Sequence, residues 1–531
     1  MHYVVGSGPS GVMCAQALLD NGKQVTMLDV GDECDDARLK TANLLGQQSP
    51  EDWDDRLVSK IRDHDGLKTG KIDRKRVFGS DYSYALEEHA TIEQHGTNCL
   101  ISHARGGLSS VWGAGMLPLT KDDMGEWPVD FRDMENSFRQ VSNTISTAGA
   151  DDSLSKLYPY YHQPQPQLRL SQQANHVLSN MTEHRKILRS KGYVFGQARL
   201  AVRSQDNSTV KGCQYCGLCL TGCPYGAIYN SAYTLEVLKK REGFTYKPGN
   251  HVLSVKEIES NKVRIDCFEI KNRTTVHYTG ERVYIACGPI ATLKLILKSH
   301  NLSKGHFRLL YQPYFLLPVV GLKNAVNVST ERLYTLAQIF IQIRDKKIAP
   351  EPIHLSLYTF NDFMKYRLHY YLKMSFGLLN WSESLLLGRL MAIQGYLCSQ
   401  KDNYISIEIN DLNNSSVPSL VLRSNTNHLA ISSMKKITRN LTRNYKALGF
   451  LPIIPMMETG LPGDGNHIGG TFPMRESPDD WESDKYGRLF GMDRIHIVDS
   501  SILPVLPAGP PTYTLMANAY RIGAAVNEME K

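Results

Sequence analysis

The run His2-Tyr3-Val4-Val5-Gly6-Ser7-Gly8-Pro9-Ser10-Gly11 decides how the chain is read. Residues 2–5 are mostly apolar and β-branched and read as a buried strand. Three glycines follow in G-x-G-x-x-G spacing, and residues 12–19 carry apolar side chains at helical spacing. A second apolar strand, 25–28, ends at Asp29. Strand, glycine turn, helix, strand and acid make the dinucleotide-binding fingerprint in its required context. Gly6 suits the tight turn, Gly8 lets backbone approach a pyrophosphate, and Gly11 permits close packing of helix on strand. The helix N-terminus offers unpaired N–H groups and partial positive charge to phosphates. Asp29 can accept hydrogen bonds from a ribose. A plain glycine-rich turn is the competing reading, and the flanking strands and the acid weigh against it.

Outward from that stretch, 531 residues exceed one simple core, so two or three domains are expected. The net charge of +7 is a mild excess over this length and makes no case for nucleic acid. The first strand begins at residue 2, which leaves no room for a signal peptide, and no run of about 18 apolar residues predicts a membrane span. The expectation is a cytoplasmic protein, with peripheral membrane contact as an option. Four of the ten cysteines fall within residues 213–223, which argues for thiols or a metal site over a disulfide scaffold.

Residues 36–100 read as loops and helices over the cofactor. The loop Arg105-Gly106-Gly107-Leu108-Ser109-Ser110-Val111-Trp112-Gly113-Ala114-Gly115 has backbone bare enough to lie against a flat ligand, although an ordinary tight loop reads equally well. Glu126-Trp127-Pro128 leads into a helix over 131–141. Residues 145–170, rich in Tyr, Pro and Gln, read as a surface excursion, and 174–192 as a helix. After the cysteines come a helix over 231–240 and strands at 251–257, 262–269, 274–279 and 282–286. Cys287-Gly288-Pro289 then opens a helix over 290–298, which would extend the first sheet. In 360–387, Phe, Tyr, Leu and Met recur at helical spacing beside Lys365, Arg367 and Lys373. Buried core is the default there, with a lining for a greasy substrate or a membrane-surface helix as alternatives. The last segment holds His467, the apolar strand 495–498, Asp499, a proline-rich loop and a helix over 514–526.

Five of these blocks, in this order, resemble the GMC (glucose–methanol–choline) FAD-dependent oxidoreductases: the fingerprint, Gly106 to Gly115, Trp127-Pro128, residues 284–297, and residues 467–526. The resemblance implies an α/β chain. A Rossmann-like FAD-binding domain of discontinuous segments (1–125, 206–304 and 461–531) joins an α+β substrate domain with an antiparallel sheet (126–205 and 305–460). By similarity, Gly6, Gly8, Gly11 and Asp29 hold the ADP half of FAD, and Val252 lies at the adenine. Gly106, Gly107, Ser110, Trp112 and Gly113 lie beside the flavin ring. Gly288, Asp499 and Thr512 complete the cofactor contacts. His467 aligns with the catalytic histidine. Oxidising an alcohol removes a proton from oxygen and a hydride from carbon; flavin takes the second and a neutral imidazole the first. The family places a second His or Asn after the last strand, but here the aligned residues are Pro510 and Pro511. Thr512 or Tyr513 substitutes, the partner comes from elsewhere, or the chemistry differs.

Cys213-x2-Cys216-x2-Cys219-x3-Cys223-Pro224 has the spacing of ferredoxin [4Fe–4S] ligands. All four cysteines would bind, or three with a remote partner such as Cys267 or Cys287. Zinc and a metal-free loop are the other readings. The expected function is oxidation of a CH–OH group, in a sugar or a lipid-linked alcohol, by a dehydrogenase whose electrons leave through a cluster to a carrier. A flavin-dependent reductase or isomerase on an apolar substrate is the alternative, and a non-catalytic flavoprotein module is a third reading.

Overall fold

The computed structural model describes residues 1–62, 75–85, 91–208, 210–259, 261–361, 364, 386–399, 404–410, 419–425 and 428–530. Most of the 360–387 stretch, with Lys365, Arg367 and Lys373, lies outside the described residues.

A five-stranded sheet organises the first half of the molecule, in the order Ile495–Ile497, Arg282–Ile285, His2–Val5, Val25–Leu28, Phe244–Lys247. Every pairing in it is parallel. Both faces of its central strands are covered: every residue of His2–Val5 and Val25–Leu28 is buried, as a parallel sheet between helices requires. The strand expected near 282–286 does extend the first sheet, pairing with His2–Val5. Helices Pro9–Asp20 and Thr512–Ala524 cross so closely that a Cβ on Gly523 would come within 2.8 Å of the Cys14 carbonyl oxygen. An antiparallel sheet of Asn250–Ile258, Lys262–Glu269 and Thr274–Gly280 sits beside this layer.

The second half is built on a seven-stranded antiparallel sheet. Phe450–Pro452, Tyr314–Gly321, Leu390–Leu397, Ile353–Tyr358, Ile339–Ile343 and Tyr193–Gln197 follow one another, and Glu458–Thr459 also pairs with Tyr314–Gly321. One face packs against helices Gln172–Glu183 and His428–Arg443 through Phe315, Leu317, Ile393 and Leu441. The alternate residues Tyr314, Leu316 and Pro318 face a cavity instead, as the two-residue period of a strand dictates. Ile468–Gly469, His306–Tyr311, Tyr404–Asn410, Ser419–Ser424 and Ile92–His95 form a further five-stranded sheet that brings residue 467 beside residue 312.

Two local expectations need correction. Residues 145–170 are not a surface excursion, because Ile145, Leu154, Tyr158 and Leu168 are buried. The buried guanidinium of Arg199 holds the segment down, donating to the Tyr158 carbonyl and to Ser155 Oγ (3.0 Å) and lying 4.0 Å from the Tyr160 ring. The helix expected over 174–192 is two, Gln172–Glu183 and Arg185–Ser190, broken at His184.

Candidate active site

A single cavity of about 1600 Å³ runs from the fingerprint glycines to His467. One ligand fills about 300–1000 Å³, so there is room for a cofactor and a second molecule.

The fingerprint end fits a dinucleotide. Gly6 has φ +96°, and a Cβ there would lie 2.7 Å from the Ala286 carbonyl oxygen. A Cβ on Gly11 would lie 2.0 Å from the Gly6 carbonyl oxygen, which is the close helix–strand packing read from the motif. By contrast, a Cβ on Gly8 or Gly288 would meet nothing within 4 Å, and both residues line the cavity. Bare backbone therefore faces open space where a pyrophosphate would lie. No side chain caps the helix that starts at Pro9, so its first N–H groups are open to an anion. Burial raises the Asp29 carboxyl to about 6, against the pull of hydrogen bonds from Ser7 and Tyr246 (3.0 Å). Ser7 Oγ also accepts from Gly106 N (2.9 Å), tying the two glycine loops together. Val252 lines the same end, between His251 and Leu253.

Of the second loop, Gly107, Trp112 and Gly113 line the cavity, and Trp112 is fixed by its indole N–H on the Tyr229 carbonyl (2.7 Å). Gly106 and Ser110 stand behind it. A Cβ on Gly106 would lie 2.2 Å from Asn230 Oδ1, so the glycine serves the packing. Ser110 Oγ is bonded to the Gly107 carbonyl (2.9 Å) and to Ser83 Oγ (2.8 Å). Asp499 lines the cavity, yet both of its oxygens already accept protein hydrogen bonds. Oδ1 accepts from Ser501 N (2.8 Å) and Oγ (2.5 Å), and Oδ2 from Gly288 N (2.8 Å) and Thr292 Oγ1 (2.6 Å). It pins the Gly288 turn. Thr512 lines the cavity at the start of the last helix, which also lacks a side-chain cap.

At the far end His467 Nδ1 lies 2.6 Å from Gln312 Oε1. Gln312 donates its amide N–H groups to the Pro507 and Gly509 carbonyls, the latter at 3.0 Å. That orientation makes Oε1 the only acceptor offered to the ring, so Nδ1 carries the imidazole proton and Nε2 the lone pair. Burial lowers the His467 pKa to about 4, which keeps the imidazole neutral at pH 7. Pro510 and Pro511 line the cavity without side-chain polar atoms. Tyr513 does not replace the missing partner, because its hydroxyl is bonded to Ser142 and to the Phe138 carbonyl (2.8 Å), outside the cavity. Sequence reading missed Gln312, which sits 155 residues from His467 and belongs to no motif.

The four clustered cysteines line a small closed cavity with Leu168, Tyr334 and Leu336. Backbone N–H groups donate to two of the sulfurs, Thr335 to Cys219 (3.4 Å) and Ala227 to Cys223 (3.4 Å). Burial pushes the thiols of Cys213, Cys216 and Cys219 up. Among the described residues, only His2, Glu281 and Glu530 bring three ligand atoms within 4.8 Å, so the cysteines do not form the tight set a single zinc ion needs. Cys267 and Cys287, the remote partners of the alternative in which three motif cysteines bind, lie outside this cavity. Cys267 is buried in the strand Lys262–Glu269, and Cys287 lines the large cavity. Leu336 lines both cavities. Lys75, held by the Trp112 carbonyl (3.0 Å) and lowered to about 8 by burial, sits within electrostatic reach of Cys219.

No curated protein matches the chain. Its fold is similar to that of pyridoxine 4-oxidase from Mesorbium loti, with a TM-score of 0.58 and 14% identity over 99% of each chain. Residues 403–519 match the GMC oxidoreductase family model. Over that segment the chain is similar to the GMC oxidoreductases, and over nearly its whole length it shares a fold with a solved oxidase.

Proposed function

We propose that the chain is an FAD enzyme that oxidises a CH–OH group, with His467 as the base. The neutral imidazole pinned by Gln312 at the cavity wall carries this reading. FAD held along Gly6, Gly8, Asp29, Val252, Gly288 and Thr512 would supply the two-electron acceptor for the C–H bond. His467 Nε2 takes the hydroxyl proton. Gln312 Oε1 holds the ring in the correct tautomer and stabilises the imidazolium through the Nδ1 proton. The role the family gives to a residue at Pro510 or Pro511 passes to Gln312, from the link between the strands His306–Tyr311 and Tyr314–Gly321. That favours alcohol oxidation over a reductase or isomerase. Anaerobic titration of the flavin-loaded protein with a panel of alcohols tests the reading: one or more should bleach the flavin. A panel that leaves it fully oxidised, while a reduced nicotinamide bleaches it, turns the assignment to a reductase.

The same proposal assigns the electron exit to Cys213, Cys216, Cys219 and Cys223, which would hold an iron–sulfur cluster supplying a one-electron store for an external carrier. The ferredoxin spacing, the N–H groups donated to Cys219 and Cys223 and the shared wall at Leu336 support it. The enzyme is then a dehydrogenase. Anaerobically purified protein is expected to contain about four iron and four sulfide per chain. Full flavin without iron would return the segment to a packed loop and make molecular oxygen the acceptor. No helix among the described residues is long and apolar enough to cross a membrane.

A further inference from the structure

The seven-stranded sheet turns one face to the cavity, and the residues on that face change character along it. Cross-strand register sorts them into rows about 6.7 Å apart, each row two residues further along every strand. In the first row Tyr314 is opposite Tyr396. In the second, Leu316 lies between Glu458 and Gln394, with Ser356 beyond. In the third, Pro318 is opposite Ala392, with Tyr358 beyond, and Ile453 is bonded to Pro318 through its N–H (2.9 Å). In the fourth, Leu390 is opposite Val320. Of these, all but Val320 line the cavity.

The polar end of the face belongs to His467, whose ring lies 5.1 Å from that of Tyr396. Tyr358 and Tyr396 have no hydrogen-bond partner for their hydroxyls among the described residues, and the Tyr358 hydroxyl is directed at Gly113. Both hydroxyls open into the cavity, where an oxygen of a bound molecule can pair with them. The other end carries Pro318, Ala392, Leu390, Ile453, Met456 and Leu386. Beyond it lie the exposed aliphatic residues Leu451 and Ile454. A small polar alcohol would fill only the first two rows and leave water against aliphatic wall over the rest. A hydrocarbon chain would remove that contact.

We infer that the substrate is an amphiphilic alcohol, with its hydroxyl-bearing head between His467 and the tyrosines and its hydrocarbon tail along Pro318, Ala392, Leu390 and Ile453. The inference rests on the reading of the His467 side as an alcohol site. It fixes which of the two expected classes, sugar or lipid-linked alcohol, the cavity is shaped for.

The n-alkan-1-ols from butanol to octanol test it on the flavin-loaded protein. Each Kd is read from the perturbed flavin spectrum, or from the half-saturating concentration where the alkanol reduces the flavin under anaerobic conditions. Kd should tighten about fourfold per methylene, about 200-fold across the series. Ala392→Asp and Ile453→Asn should each flatten that slope to under about twofold per methylene. A Kd that does not tighten with chain length overturns the inference from the wild-type protein alone, whether or not the variants fold. A steep slope unchanged in both variants overturns it as well, because the tail then lies elsewhere. A steep series, flattened by the variants, in which no alkanol reduces the flavin would uphold the tail channel and count against alcohol oxidation.

Discussion

His467→Ala keeps its flavin and lowers the rate of anaerobic flavin reduction by about two to four orders of magnitude, the usual cost of removing a general base. Flavin is retained because His467 is at the opposite end of the cavity from Gly8 and Asp29 and makes none of the fingerprint contacts. The rate falls because no other histidine among the described residues lines the cavity beside it. His354, the nearby histidine, is fully buried and bonded at both nitrogens, to Gln342 (2.6 Å) and Ser356 (2.9 Å). Gln312→Leu leaves the imidazole in place but frees its tautomer, and should fall between wild type and His467→Ala with flavin content unchanged. The acid limb gives a second readout. With the His467 pKa lowered to about 4, the reduction rate should stay flat from pH 7 to about pH 5 and fall only as the ring protonates. Stopped-flow reduction rates check all three, and a His467→Ala rate within about twofold of wild type removes the residue from the mechanism.

Acid sensitivity is the second large effect, and one source of it lies away from the site. His496 is fully buried and stacked on Tyr284 at 4.8 Å. Its Nε2 faces an N–H of Arg282 (3.1 Å), so Nδ1 carries the proton and donates to the Tyr486 carbonyl (2.9 Å). A second proton would meet the guanidinium. Burial first, then that charge, lowers the pKa from 6.5 to about 3. Between about pH 6.5 and 3 the unfolded chain therefore binds a proton that the folded chain refuses, so stability is complete above 6.5 and is lost as pH falls. The slope is about 1.4 kcal/mol per pH unit from this one residue. Asp29, raised to about 6, works in the opposite direction below that pH, which is why a variant and not the wild-type slope isolates the histidine. His496→Gln keeps a donor for Tyr486 and an acceptor for Arg282 but cannot titrate. Its denaturant-derived stability should lose about 2 kcal/mol less than wild type between pH 7 and pH 5. Equal losses would show that His496 is not what makes the fold acid-sensitive.

How much of this was legible in the sequence depended on distance along the chain. Gly6, Gly8 and Gly11 act within one strand–turn–helix, so their separate roles show in spacing alone, and the contacts of Gly6 and Gly11 follow that spacing. The parallel partners of His2–Val5 were readable from one glycine turn before a helix at Gly288. What the loop of 105–115 does was less readable. Glycine content shows that backbone is bare, but not that Gly106 turns toward Asn230 while Gly113 turns toward Tyr358. His467 was found only because its neighbours resemble a family block. Gln312 could not be found, since its contact exists only once His306–Tyr311 pairs with Ile468–Gly469. The same physics explains the misreading of 145–170. Its polar composition looks solvated until Arg199, a distant residue, supplies the hydrogen bonds that let it be buried.

The crossing of the first and last helices has a consequence for biosynthesis. His2–Val5 sits in a sheet whose edge strand is Ile495–Ile497, and Pro9–Asp20 is covered by Thr512–Ala524. At roughly 5–20 residues per second, about 25 to 100 s separate the emergence of those partners from the ribosome. Through that interval the parallel sheet has an open edge and an uncovered apolar helix. The nascent chain thus needs shelter, from a chaperone or from the growing antiparallel half, and a premature stop even near residue 490 leaves a chain that cannot close its first sheet.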